Sequence, residues 1–163
     1  MKSQKILLEI EDEDEEITLG LIRLAKEVPE HELFYQLNVR NSFKLTRIAD
    51  LVYCGAYNDY FFPRFEGFHC DSKVCFQFIA NKSSQHIQKK VSNELFSGEQ
   101  ETKFLLNHFQ DVDYLLKTSE PFNDFSLILL PENLMFPIQH FPLSPIEELY
   151  QIIQYYEYEN YIY

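Results

Sequence analysis

Alternation of apolar and polar positions marks out much of the chain. In Val74–Ala80 (VCFQFIA), Val74, Phe76, Phe78 and Ala80 point one way and Cys75, Gln77 and Ile79 the other, the period of two that defines a strand. This run and Tyr60–Phe68 (YFFPRFEGF) flank His69-Cys70-Asp71-Ser72-Lys73. Asp and Ser there bring turn chemistry, so the two runs predict an antiparallel hairpin. Pro63 has no N–H for a ladder and predicts an edge strand or a bulge. Ile17–Leu24 (ITLGLIRL) reads as a strand through its β-branched residues. Shorter strands are predicted at Lys5–Ile10, Phe43–Tyr53, Tyr114–Lys117 and Phe125–Leu130.

Helical spacing predicts two longer helices. Pro29 suits a first helical turn, and Glu30 and Glu32 suit its electropositive end. Leu33, Phe34 and Leu37 then share a face, giving a helix from Pro29 to Asn41. Ser144-Pro145-Ile146-Glu147 is a capping box with proline at the first helical position. Leu149, Ile152, Ile153 and Tyr156 continue it as a C-terminal helix from Pro145 to Tyr158. Between these, Ser83–Lys103 is polar and predicts a loop with a short helix around Ile87–Phe96. Met135–Pro145, with three prolines, predicts an ordered linker.

Together these elements predict an α+β fold, a mainly antiparallel sheet with helices packed on one face and a C-terminal helix. At 163 residues the chain is long enough for a core without staples. Residues 1–133 form the expected α+β core domain. Residues 134–163 form a Pro-rich connection and a Tyr-rich helix that packs on the core or on a partner subunit. Four glycines and no G-x-G-x-x-G run argue against a nucleotide-binding doubly wound sheet.

Charge and aromatic content narrow the function classes. The formal net charge is −12, which repels phosphate backbones and anionic lipid heads and predicts no nucleic-acid and no membrane partner. No run approaches the ~20 apolar residues of a membrane span, and the first strand-like run is too short for the apolar region of a signal peptide. Cys54, Cys70 and Cys75 are odd in number, as expected of reduced thiols in a cytoplasmic protein. Fifteen Phe and eleven Tyr suffice for a dense core with aromatic area left over for a partner.

Five groups of residues carry candidate chemistry. Asp113-Tyr114 places a hydroxyl beside a carboxylate, with His108 five residues upstream; this suits proton transfer or polar-ligand binding, against the plainer role of a turn-capping Asp and a core Tyr. His69, Cys70 and Cys75 have a metal-like flavour but no evident fourth ligand, so no metal is expected. The EDEDEE block, Glu11–Glu16, lacks the rhythm of a calcium loop and reads as a solvated loop. Lys82, His86, Lys89 and Lys90 follow Asn81 and include Ser83, without the glycines of a phosphate loop. Six tyrosines lie from Tyr150 onward, more than one helical stripe can bury. Tyr155, Tyr156, Tyr158 and Tyr161 are therefore candidate interface residues.

Four stretches in order, FYQLN (Phe34–Asn38), FKLTRIADL (Phe43–Leu51), FIANKS (Phe78–Ser83) and DVDYLL (Asp111–Leu116), resemble the IPExxDY family of small bacterial proteins. The likeness spans roughly the first three quarters of the chain. Asp113 and Tyr114 match the terminal pair of the family signature. His108, Phe109 and Gln110 stand at its Ile-Pro-Glu positions, so the family's glutamate is absent. The family has no assigned activity, so the resemblance implies a fold-level expectation alone. The expected function is that of a non-catalytic cytoplasmic protein acting by protein–protein binding or self-association, as a homodimer, with no cofactor. The alternative is a small-molecule-binding enzyme with a site around Asp113 and Tyr114.

Overall fold

The computed structural model describes residues 16–89, 101–119, 125 and 128–160. Among them seven strands form one antiparallel sheet: β1 Ile17–Ile22, β2 Thr46–Cys54, β3 Asn58–Phe68, β4 Cys75–Ala80, β5 Gln85–Gln88, β6 Tyr114–Thr118 and β7 Gln139–Leu143. Two helices accompany it, α1 Glu30–Arg40 and α2 Glu148–Asn160. The strand order is β2-β3-β4-β6-β1-β7, and β5 pairs with β3 off this path. The fold is α+β with a C-terminal helix.

The helices are not on one face. Leu33, Phe34 and Leu37 of α1 pack with Ile22, Phe65, Phe76, Phe78, Tyr114 and Leu116 in one core. Leu149, Tyr150 and Ile153 of α2 pack with Leu19, Leu21, Phe62, Ile79, Leu115 and Leu143 in another. Neighbouring residues of the same strand, such as Leu21 and Ile22 or Leu115 and Leu116, fall in different cores, because side chains alternate across a sheet. Strands β1, β4 and β6 are apolar at both parities. A strand of that kind has to be covered on both sides, so one helix per face is the arrangement that buries it.

Strand β3 is central, and Pro63 sits where its ladders break. Against β2 the register steps from Ile48↔Arg64 to Leu51↔Phe62, leaving an extra residue on β2 opposite Pro63. This is a β-bulge. Against the other neighbours, Arg64↔Ile79 is the last pair with β4 and Phe61↔Gln85 the first with β5. Asn81–Ser84 lies between them and turns to other partners, with Lys82 bridging Phe104. A residue with no N–H is tolerated at a point where neither ladder needs one.

Three local expectations differ from the structure. Met135–Pro145 is not a plain linker: it carries β7, which pairs with β1 from Ile17↔Leu143 to Leu21↔Gln139. Pro142 is admissible there because β7 is an edge strand. Ile87, expected in a helix, lies in β5. The described part of Phe125–Leu130 is irregular, although Phe125 and Ile128 are buried in the core. Leu134, Met135 and Leu143 are buried in the two cores. Helix α2 starts at Glu148, later than the capping box implies; Ser144 meets Glu147 through its backbone carbonyl. The predicted strand at 5–10, the acidic block at 11–15 and the predicted helix at 90–96 lie outside the described residues.

Candidate functional site

The stretch after β4 is built around Asn81, which is fully buried. Its side-chain amide donates to the carbonyls of Phe109 (2.9 Å) and Val112 (3.0 Å) and accepts from the Leu106 N–H (2.8 Å). Its backbone N–H donates to the Asp113 carbonyl and its carbonyl accepts from Leu105. A buried amide must spend its donors and acceptor on protein groups, and here each is spent on the segment that leads into β6. Ser83, also buried, accepts from the Lys103 N–H through its hydroxyl and donates to the Lys103 carbonyl through its backbone. The Asn81-Lys82-Ser83 stretch thereby clamps the chain that carries Asp113 and Tyr114.

Asp113 opens β6 from a half-buried position. Its carboxylate accepts the Leu24 N–H at 2.7 Å, and its backbone N–H donates to Ile22. Burial raises its pKa above the usual carboxylate range, with Asp111 adding to that and the Leu24 N–H and Arg23 opposing it. Arg23 itself bonds Asp111 at 2.6 Å and Gln139 at 2.9 Å.

Tyr114 is 9% exposed, with its ring edge-on to Phe34 at 5.5 Å. Phe34 in turn stacks on Phe65 at 3.6 Å, and the Arg47 guanidinium lies over Phe65. No described residue hydrogen-bonds the Tyr114 hydroxyl. Burial pushes its pKa up, and the carboxylates of Glu30 and Asp113 push it further, with Arg47 opposing. It therefore remains a neutral O–H through the physiological range.

Tyr114 lines a cavity of about 840 Å³ together with Leu24, Lys26, Glu27, Val28, Pro29 and Glu30 from the β1–α1 connection and the start of α1, with Pro63 and Ala80, with Lys82, Ser83 and Ser84, and with Asp113. Two stretches far apart in sequence, Lys82-Ser83-Ser84 and Asp113-Tyr114, thus meet at one site. Its buried and half-buried polar groups are Tyr114, Asp113, Ser83 and Glu30, whereas Lys26, Glu27, Lys82 and Ser84 are exposed. Glu30 pairs with Arg47 at 2.9 Å.

His108 stands elsewhere. It lines a second cavity of about 360 Å³ with Lys103, Phe109, Phe141, Glu148 and Ile152, beside α2 rather than α1. Asp113 and Tyr114 are together in the first cavity and His108 is not with them.

The remaining candidates are scattered. Cys54, Cys70 and Cys75 are free thiols, and Cys70 donates to the Ser42 carbonyl at 2.8 Å. No metal-ligand cluster occurs among the described residues. Arg64 is buried beneath the Tyr156 ring, bonded to the Ala49 carbonyl at 2.7 Å. It contributes nothing to a basic surface with Lys82 and Lys89. Of the candidate interface tyrosines, Tyr156 is half-buried and its hydroxyl accepts from the Val52 N–H at 2.8 Å, while Tyr155 is 59% exposed. The side chains of Tyr158 and Tyr161 lie outside the described set. No described helix is long and apolar enough to cross a membrane.

Glu30, Lys26 and Glu27 were not singled out from the sequence as site residues. The signal available for Glu30 was its place at the start of α1, next to Pro29. That reads as helix capping until the fold brings it to Tyr114. No known family, curated protein or solved structure matches the chain.

Proposed function

We propose that this is a cytoplasmic binding protein, not a catalyst, and that it holds a small polar ligand in the cavity at Tyr114. The observation that carries this reading is Tyr114, a residue only 9% exposed that lines a cavity of ligand size and whose hydroxyl no described residue hydrogen-bonds. A phenol held neutral is a good hydrogen-bond group and a poor proton shuttle, since efficient acid–base catalysis wants a pKa near the working pH. The separation of His108 from Asp113 and Tyr114 weakens the enzyme alternative in the same direction. Three free thiols fit a reducing compartment. A thermal-shift screen of polar metabolites against the native chain and Tyr114→Phe is expected to find compounds that raise the melting temperature of the first and not of the second. Equal shifts in both proteins, or turnover of a hit by the native chain, would sink the reading.

Self-association is the second reading. Ile146 (92% exposed), just before α2, and Tyr155 (59%), within it, present apolar area, and exposed aromatic and aliphatic area of this kind suits an interface. Sedimentation equilibrium of the full chain and of a double variant, Ile146→Lys with Tyr155→Lys, checks it. A dimer that the double variant dissociates supports the reading, and a native monomer ends it.

A further inference from the structure

Resting on the cavity reading above, we infer that the group bound at Tyr114 is the cationic nitrogen of a small organic amine. The layering of charge in the cavity points that way. The half-buried ionisable groups beside Tyr114 are two carboxylates, Asp113 and Glu30, and a third, Glu27, stands exposed with Lys26 and Lys82. The two lysines are long, exposed and free to extend into water, so the acids set the field at depth while the rim, Lys26 and Lys82 against Glu27, carries one net positive charge.

Arg47 offsets part of the charge on Glu30, and Asp113 has one oxygen occupied by the Leu24 N–H. That leaves the second oxygen of Asp113 and the oxygen of Tyr114 as acceptors at the cavity wall. The raised pKa of Tyr114 agrees, because its largest charge contributions come from Glu30 and Asp113 and outweigh that of Arg47. An ammonium group brings several N–H donors and a positive charge, and so matches neighbouring acceptors in a negative field. A phosphate or carboxylate at the same depth would face Asp113 and Glu30 at close range. The net charge of −12 adds a long-range attraction for cations.

Calorimetric titration of the full chain tests the inference, with spermidine and 1,4-diaminobutane as amine probes and sodium phosphate and sodium acetate as anion probes. Ionic strength is kept near physiological, about 0.15 M, to screen loose counterion binding. Saturable amine binding is expected, weakened about tenfold or more in Tyr114→Phe, equivalent to about 1.4 kcal/mol. Asp113→Asn, which retains an oxygen for the Leu24 N–H, is expected to weaken it as well. Glu101→Gln, an exposed acid outside the cavity, should leave it unchanged. Circular dichroism melts confirm that each variant is folded, and Glu27→Gln at the exposed rim serves as a reporter should either buried variant fail to fold. No amine binding, or binding insensitive to Tyr114, Asp113 and Glu27, overturns the inference. Tyr114-dependent binding of phosphate or acetate also overturns it but leaves the cavity as a ligand site. The absence of any Tyr114-dependent ligand in the metabolite screen defeats both.

Discussion

Asn81 shows how one side chain can organise a site from a distance. Three side-chain hydrogen bonds and two backbone ones tie it to residues 105–113, and it contacts no ligand in doing so. Replacing it with alanine removes the amide and strands the Leu106 N–H and the Val112 carbonyl, while the Phe109 carbonyl keeps the Val112 N–H. The penalty for such groups is about 1–3 kcal/mol, so Asn81→Ala is expected to destabilise the fold by about 3 kcal/mol, read as a lower urea midpoint. The same variant should also lose the ligand-induced thermal shift, because the start of β6 is no longer held against the cavity. Asn81, Lys82 and Ser83 stand out in the sequence as the end of a clean strand. Their partners do not, since hydrogen bonds to residues more than twenty positions away leave no local mark.

Among the elements, those with a strong period of their own matched expectation. The hairpin of β3 and β4, with Val74, Phe76, Phe78 and Ala80 on one side, and the helix α1 with Leu33, Phe34 and Leu37 buried, follow directly from spacing. Elements whose form depends on neighbours did not. Strand β7 contains Pro142 and is exposed over much of its length, so nothing local distinguishes it from a linker; it is a strand because β1 offers a free edge. The β2 edge is managed differently. A bulge opposite Pro63 breaks its regularity, and the Tyr156 hydroxyl takes the Val52 N–H. Both devices blunt an exposed edge strand against pairing with another chain. That use of Tyr156 explains why a tyrosine expected at an interface is instead spent on its own fold.

At the scale of the whole molecule, the segment after Asn133 is structural. It contributes the outermost strand on one side, and α2 covers the core containing Leu19, Leu21, Phe62 and Leu115. A chain ending at Asn133 would expose that entire apolar face, at roughly 25 cal/mol per Å² uncovered. It is expected to show no cooperative thermal transition and to aggregate, whereas the full chain melts in one step; a soluble, cooperatively folded truncation would show that the first face alone suffices. Point variants in the full chain are thus the proper probe of self-association. The two candidate regions also separate at this scale: the cavity at Tyr114 lies beside the start of α1, and His108 lies beside α2 across the sheet.

The sequence by itself determined the class of the fold, the hairpin and its faces, the first helix and the existence of a C-terminal one, because periodicity in side-chain direction is a property of each segment alone. It also singled out Asp113 and Tyr114 as polar groups worth following. Tertiary structure decided that the helices divide between the two faces, that β7 is a strand, and that Lys82, Ser83, Glu30 and Tyr114 converge on one cavity. Those outcomes depend on strand order and register, which are set by how distant segments bury one another's apolar faces. No window of sequence contains that information.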